Sequence, residues 1–209
     1  GEFRGWDDPR TWSIQSLRRR GIRPQAIRNF IEEIGLNKQD IVVPIENLYS
    51  INRKLIDASS KRFTFAQDAM KISIKKLPLI KEVEIPIHPD RADITRKVPV
   101  TNIIYLSKKD YEANKGKEIR LLHFCNIKLA KNKTSTFTSL ENKDIPRITW
   151  ISQGIPTTIL LPDGTWVKGL ADTQIASLKI HDSIQFERFG FCRLDSVQQG
   201  AYEFWFSHI

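Results

Sequence analysis

The stretch RFTFAQDAMKISIKKL, residues 62–77, decides the fold, because the hydrophobic period changes inside it. Met70, Ile72 and Ile74 alternate with Lys71, Ser73 and Lys75, the period of two that marks a half-buried strand with a basic outer face. Upstream of this point the period is helical. Ser13 is placed to cap a short helix over IQSLRRR, which Gly21 ends. Pro24 suits the first turn of a second helix, whose apolar stripe Ile27, Phe30, Ile31 and Ile34 stops at Gly35. After LNKQDIVVP, the run IENLYSINRKLIDASS predicts a third helix with Leu48, Ile51, Leu55 and Ile56 on one face. Helices this short are unstable alone and must pack on a neighbour.

Downstream the chain reads as short strands. VEIPI alternates, TTILLPDGTWVKG is a hairpin turning at Asp163-Gly164, SIQFERFGFCRL is aromatic and β-prone, and AYEFWFSHI closes the chain as a strand. The polar LAKNKTSTFTSLENKDIP reads as a loop or a mobile hairpin tip. Prolines at 78, 86, 89, 99, 146, 156 and 162 punctuate this half, as expected of short strands in barrels rather than long helices. The fold class is therefore α+β, with small antiparallel β-barrels after a helical lead.

The chain has 209 residues, enough for one large domain or two to three small ones. Lys+Arg is 33 against 24 Asp+Glu, a net charge of +9 that favours a polyanionic partner. The two cysteines, Cys125 and Cys192, form no C-x-x-C pair, which fits a reducing, cytoplasmic compartment. No apolar run approaches the roughly 20 residues of a membrane-spanning helix. The sole methionine is Met70, so the sequence reads as the C-terminal part of something longer.

No reaction centre is visible. His88, His123, His181 and His208 lie far apart, without metal-ligand spacing. His123 and Cys125 flank Phe124, and in a strand would share a face, a placement that a strand explains without catalysis. No phosphate-cradling glycine loop occurs, and the adjacent Asp7 and Asp8 do not face one bond. The reading is a binding protein with no catalytic residues and no metal. Unstacked RNA bases need polar forks and flat surfaces, and phosphates need cations. By composition the candidates are Lys61-Arg62, Arg96-Lys97, Lys117, Arg120 and Arg188, each equally at home as a solvated charge. Arg18, Arg19 and Arg20 also suit a helix C-terminus through its dipole.

The N-terminal GWDDPRTWSIQSLRRRG (residues 5–21), followed by AIRNFIEEIGLNKQD, resembles the segment after the catalytic domain in the glutamyl- and glutaminyl-tRNA synthetases of archaea and eukaryotes and in bacterial glutaminyl enzymes. RFTFAQDAMKISI, IPIHPD, RKVPV, GKEIRL, ITWIS and IQFERFGFCRLDS keep the same order. The resemblance covers nearly the whole chain and is loosest at 129–145 and 155–180. It implies a helical connector at 1–60 that touches the inner corner of a tRNA, a proximal barrel from 61–100 and 176–209, and a distal barrel from 101–175 that is an excursion within the first. The implied fold is thus α+β, a short helical connector followed by two antiparallel β-barrels, both of them anticodon-binding domains.

Site residues follow from the matching positions. Arg62 stands where the family reads the middle anticodon base, a uridine, and Gln185 and Arg188 of QFER serve the same pocket. Since those two are three apart, a regular strand sends them to opposite faces, and both reach one base only if the strand bends near Gly190. Arg120, with Lys117 nearby in GKEIRL, matches the strand that contacts the first base, and Lys38 and Gln39 match a pair on the tRNA backbone. YEANKGKEIRL is too short to hold the basic segment with which glutaminyl enzymes read the third base, so the resemblance favours the glutamyl enzyme. The implied activity is that of an ATP-dependent glutamate–tRNA ligase acting on tRNA(Glu), with tRNA(Gln) as the alternative substrate. ATP and magnesium, and the His-Ile-Gly-His and lysine-serine-lysine motifs, would belong to a catalytic domain in cis, with no cofactor in this chain. The alternatives are a glutaminyl-tRNA synthetase part and a stand-alone, non-catalytic tRNA-binding subunit.

Overall fold

The computed structural model describes residues 2–35, 41–91 and 93–209. Three helices lead: α1 (Ile14–Arg19), α2 (Pro24–Ile34) and α3 (Ile45–Ile56). Ser13 caps α1 by accepting from the Ser16 N–H, Pro24 opens α2, and Gly35 ends it with φ of 68°, as the sequence predicts. The buried face differs in detail from the expected stripe. Ala26 and Asn52 are fully buried where the helices meet, while Ile31 and Leu55 stay exposed. Leu17, Ile22, Ala26, Leu48 and Ile51 form the small helical core. Asn52 holds the joint by polar means. Its Oδ1 accepts from the Arg23 N–H at 2.8 Å, and its amide lies 2.9 Å from His208 Nε2.

The strands follow as β1 (Arg62–Phe63), β2 (Phe65–Gln67), β3 (Met70–Lys75), β4 (Glu82–Pro86), β5 (Thr95–Pro99) and β6 (Ile103–Leu106). Helix α4 (Lys108–Asn114) then leads to β7 (Glu118–Leu121), β8 (Asn126–Lys128), β9 (Thr134–Ser139) and β10 (Arg147–Ile148). The last five are β11 (Gly154–Leu160), β12 (Trp166–Asp172), β13 (Ser183–Phe186), β14 (Gly190–Gln198) and β15 (Ala201–His208). The first sheet runs β1-β13-β14-β15-β11-β12-β2, so its two edges are consecutive pieces of residues 62–67 and the sheet must curl nearly closed. The second runs β10-β7-β8-β9-β3-β6, and Tyr105 and Ile151 bring its ends together by exchanging backbone hydrogen bonds of 2.7 and 3.1 Å. The class is thus α+β with two barrel-like sheets.

Several particulars differ from the sequence reading. Each sheet contains two parallel pairs, β1·β13 and β11·β15 in the first, β7·β10 and β3·β9 in the second, so neither is purely antiparallel. Sheet membership also departs from the expected ranges. β11 and β12 join the first sheet and β3 the second, because the Asp163-Gly164 hairpin pairs onto β15 and β2 rather than onto the strands before it. The polar stretch 129–146, read as a loop or a hairpin tip, contains β9, whose Ser135 is fully buried and accepts from the Ala130 N–H. A serine at its one fully buried position hid that strand from a hydrophobicity pattern.

Each barrel has its own core, built on Phe63, Phe65, Ile159, Phe186 and Phe204 in the first and on Ile72, Ile104, Ile119, Leu121 and Ile127 in the second. The β4–β5 hairpin joins them. Val98 and Ile85 enter the second core, while Arg96 is buried against Asp172 of β12 and lies 5.9 Å from the Phe63 ring.

Closure of the first barrel brings β12 very near β2. A Cβ on Gly169 would stand 2.2 Å from the Ala66 carbonyl oxygen and 2.8 Å from the Phe65 ring, so Gly169→Ala must push the seam apart. It is expected to cost about 1–3 kcal/mol in chemical denaturation, and an unchanged midpoint would contradict this closure. A second expectation concerns acid. Burial pushes the His208 imidazole down to about 4, with Arg53 and Arg20 adding to the effect. An unfolded histidine protonates near 6.5. Stability is therefore complete above about pH 6.5 and falls as the pH drops from there toward 4, because only the unfolded chain takes up that proton. Denaturation midpoints at pH 7 and 4.5 should diverge less for His208→Gln than for the wild type, and equal divergence would remove His208 from this role.

Candidate nucleic-acid interface

The N-terminal segment is first of all a joint. Asp8 is buried and accepts from the Arg4 N–H and from the Arg10 N–H and guanidinium, and Arg10 holds its carboxyl well below the usual range. Arg19 pairs with Asp7 and with Asp195 of β14 and lies 4.1 Å over the Trp205 ring. Arg20 is buried and donates to the carbonyls of Phe206 and Ser207 and to the Tyr49 hydroxyl. These arginines are spent on tying the helices to the barrel. Arg18 is exposed and has no ion pair among the described residues.

Where α3 hands over to the barrel, β1 and β13 run parallel, with Arg62 in register with Gln185. The Gln185 N–H donates to the Lys61 carbonyl and the Glu187 N–H to the Phe63 carbonyl, so the two side chains sit side by side on one face while Phe63 and Phe186 fill the core on the other. Two polar atoms here are buried without a hydrogen-bond partner among the described residues: Arg62 Nε and Gln185 Oε1. The nearest charge is Asp57, whose Oδ1 lies 3.4 Å from Arg62 Nη2. Beside them burial pushes the Glu187 carboxyl up, with Arg96 and Arg62 pulling it back. Burial likewise brings the Arg96 guanidinium down to about 10, opposed by Glu187.

The other expected residues lie elsewhere. Arg188 occupies the turn after β13 with φ of 61°. Its guanidinium bridges to the second barrel, meeting Asp110 of α4 at 3.2 Å and the Arg147 carbonyl at 3.1 Å. Arg120 donates to Asn126 Oδ1 at 3.0 Å and to the Glu141 carbonyl at 2.8 Å, and Asn126 also holds Glu141, so both pin the loop after β9. Lys117 is exposed and reaches the Ala113 carbonyl at 3.1 Å. Lys38 and Gln39 lie outside the described residues. Arg96, a candidate by composition, is buried against Asp172 and unavailable to a ligand, and Lys97 pairs with Glu82.

Sequence reasoning missed a basic groove between the α1–α2 corner and the first barrel. Clefts of ≈ 210, 250 and 390 Å³ adjoin one another there, sharing Arg18, Arg23, Arg193, His181 and Ser183, with Lys61 at the far end. Arg193 is shifted down chiefly by burial; Asp195 opposes this, and Arg18, Arg19 and Arg23 add to the shift. These charges are separated in sequence by up to 175 positions, so no local run announced them.

His123 lies in the β7–β8 turn with φ of 61°, not in a strand as expected, and burial pushes the Cys125 thiol up to about 12. Among the described residues no three His, Cys, Asp or Glu side chains cluster as metal ligands, and no helix is long and apolar enough to cross a membrane.

Two family models match, both described as tRNA synthetases class I (E and Q), anti-codon binding domain, over residues 60–143 and 125–195. Among similar proteins are the glutamate–tRNA ligases of Archaeoglobus fulgidus (34% identical over 203 residues, 95% of this chain and 36% of the relative) and Pyrococcus horikoshii (35% over 213 residues, 95% and 37%). That of Methanococcoides burtonii is 32% identical and covers 100% of this chain and 37% of its own length. The chain spans a little over a third of the length of these relatives. With both models and the paired barrels in agreement, the chain belongs to the anticodon-binding family of the class I glutamyl- and glutaminyl-tRNA synthetases.

Proposed function

We propose that this chain is the tRNA-reading part of a glutamate–tRNA ligase, and that it selects tRNA(Glu) while amino-acid activation with ATP and magnesium takes place in a catalytic region in cis. The observation that carries this reading is the Arg62–Gln185 pair. A guanidinium and an amide stand in register at the helix–barrel joint, each with a buried atom that no group among the described residues satisfies. An arginine fork and an amide are suited to the edge of an unstacked base. The relatives compared above carry the glutamate–tRNA ligase name, which favours that enzyme over the glutaminyl one and over a free-standing subunit.

In this reading the loop base enters at Arg62 and Gln185, and the groove of Arg18, Arg23 and Arg193 takes backbone phosphates on the connector side. Arg188 and Arg120, with their present partners Asp110 and Glu141, set the spacing between barrels and the shape of the second barrel's loop. They meet RNA only by exchanging those partners. Lys117 and the Lys38–Gln39 pair contribute cation and amide contacts to the backbone. The ligase acts in the cytoplasm, where translation draws on its product.

Arg62→Ala should weaken binding of a stem-loop RNA with uridine at the middle anticodon position by about ten- to hundredfold, and of middle-base variants less. Equal loss for every base would show a phosphate contact instead. The groove predicts a different signature. Arg18→Gln with Arg23→Gln should weaken all these RNAs alike and make the slope of log affinity against log salt shallower by about 1–2 units. An unchanged slope would take the groove off the RNA path.

A further inference from the structure

Beside the Arg62–Gln185 pair lies a third buried atom that no group among the described residues satisfies, on an element that the functional reading leaves unused. The Arg62 N–H donates to the Ile87 carbonyl at 2.8 Å, which sets the turn after β4, and with it His88, against the free edge of β1. His88 is buried, and its Nδ1 accepts from the Asp90 N–H at 3.1 Å, so the neutral ring carries its hydrogen on Nε2. That Nε2 is buried without a hydrogen-bond partner among the described residues and lies 3.9 Å from Asp57 Oδ1, beyond hydrogen-bonding reach. Arg62 Nη2 approaches the same oxygen at 3.4 Å. Two donors thus converge on one carboxylate oxygen that satisfies neither well. The Asp57 side chain is 39% exposed and free to turn toward solvent.

We propose that His88 is a third base-reading residue, and that His88, Arg62 and Gln185 together hold the edge of a pyrimidine whose oxygen takes the place of Asp57 Oδ1. The inference rests on the reading of the chain as an RNA-binding part. Its chemical basis is an inventory. Buried polar atoms are almost always paired, so atoms unpaired among the described residues on three segments that meet around Arg62 call for a ligand. Arg62 Nε–H and His88 Nε2–H are donors, and Gln185 Oε1 is an acceptor. The complement is a base edge with two acceptors and one donor. Uracil offers O2, O4 and N3–H, and cytosine offers O2, N3 and its amino group. Guanine presents one acceptor and two donors on that edge, and adenine one of each, so a purine leaves protein atoms unpaired. Losing a buried partner is penalised more heavily than a weaker match.

The test uses the full chain and a set of stem-loop RNAs that differ at the middle anticodon position, carrying U, C, A, G or no base. Wild type should favour the pyrimidines over the purines by about tenfold or more. His88→Ala should weaken the better pyrimidine by about three- to tenfold, the size of one buried hydrogen bond, and leave the abasic RNA unaffected. His88→Gln, which restores a donor near the Nε2 position, should recover most of the loss. Replacing the oxygens of uracil singly by sulfur should cost the wild type at the oxygen His88 contacts and cost His88→Ala nothing there. If His88→Ala weakens all five RNAs alike, or none, His88 only supports the turn and the inference fails while the broader reading stands. Should the wild type bind none of the five, both fall together.

Discussion

Residues 62–67 are at once the two edges of a seven-stranded sheet, and most of the molecule follows from that constraint. Arg62 and Phe63 pair with β13, and two residues later the same backbone pairs with β12, so the sheet has to wrap until its ends meet. An open sheet would leave two rows of unpaired backbone groups, which closure removes. Phe63 and Phe65, both facing the core, supply apolar burial at the seam, and Gly169 permits the close approach. Arg62 cannot then be an ordinary surface residue. It is the first residue of the closing strand, fixed between Gln185 on one side and the turn of His88 on the other.

That placement separates two kinds of arginine. Arg10, Arg19, Arg20 and Arg96 are each committed to carboxylates, carbonyls or rings, and for the buried ones an unpaired charge would cost far more than the pairing returns. They hold helices, hairpin and barrels in register. Arg18 and Arg23 face solvent with no ion pair among the described residues, and Arg62 is only loosely held by Asp57. Positive charge is therefore concentrated where the fold does not use it. The net +9 of the chain is a poor guide by comparison, since a sum of charges does not say which cations the fold has already paired.

The elements legible in the sequence were those with local causes. The Ser13 cap, Pro24, Gly35 and the Asp163-Gly164 turn each act within a few residues, and the structure shows all four in place. Strand β9 was missed because Ser135 is buried through a hydrogen bond rather than through hydrophobicity, and Leu55 was misassigned because Asn52 took the buried position. Parallel pairs and sheet membership depend on distant partners, as with Arg62 and Gln185, which periodicity does not encode. At the candidate site, resemblance singled out Arg62 and Gln185, and the structure shows them adjacent. His88 was seen only as an isolated histidine, and the groove of Arg18, Arg23 and Arg193 was invisible until the fold assembled it.

The central claim is that a loop base lodges between β1, β13 and the turn at His88. Photocrosslinking tests it most directly, with a stem-loop RNA bearing 5-iodouridine at the middle anticodon position and mass spectrometry to locate the adduct. Adducts are expected within residues 57–67, 82–91 or 183–188. Adducts confined to the loop after β9, or to the α1–α2 corner, would contradict it.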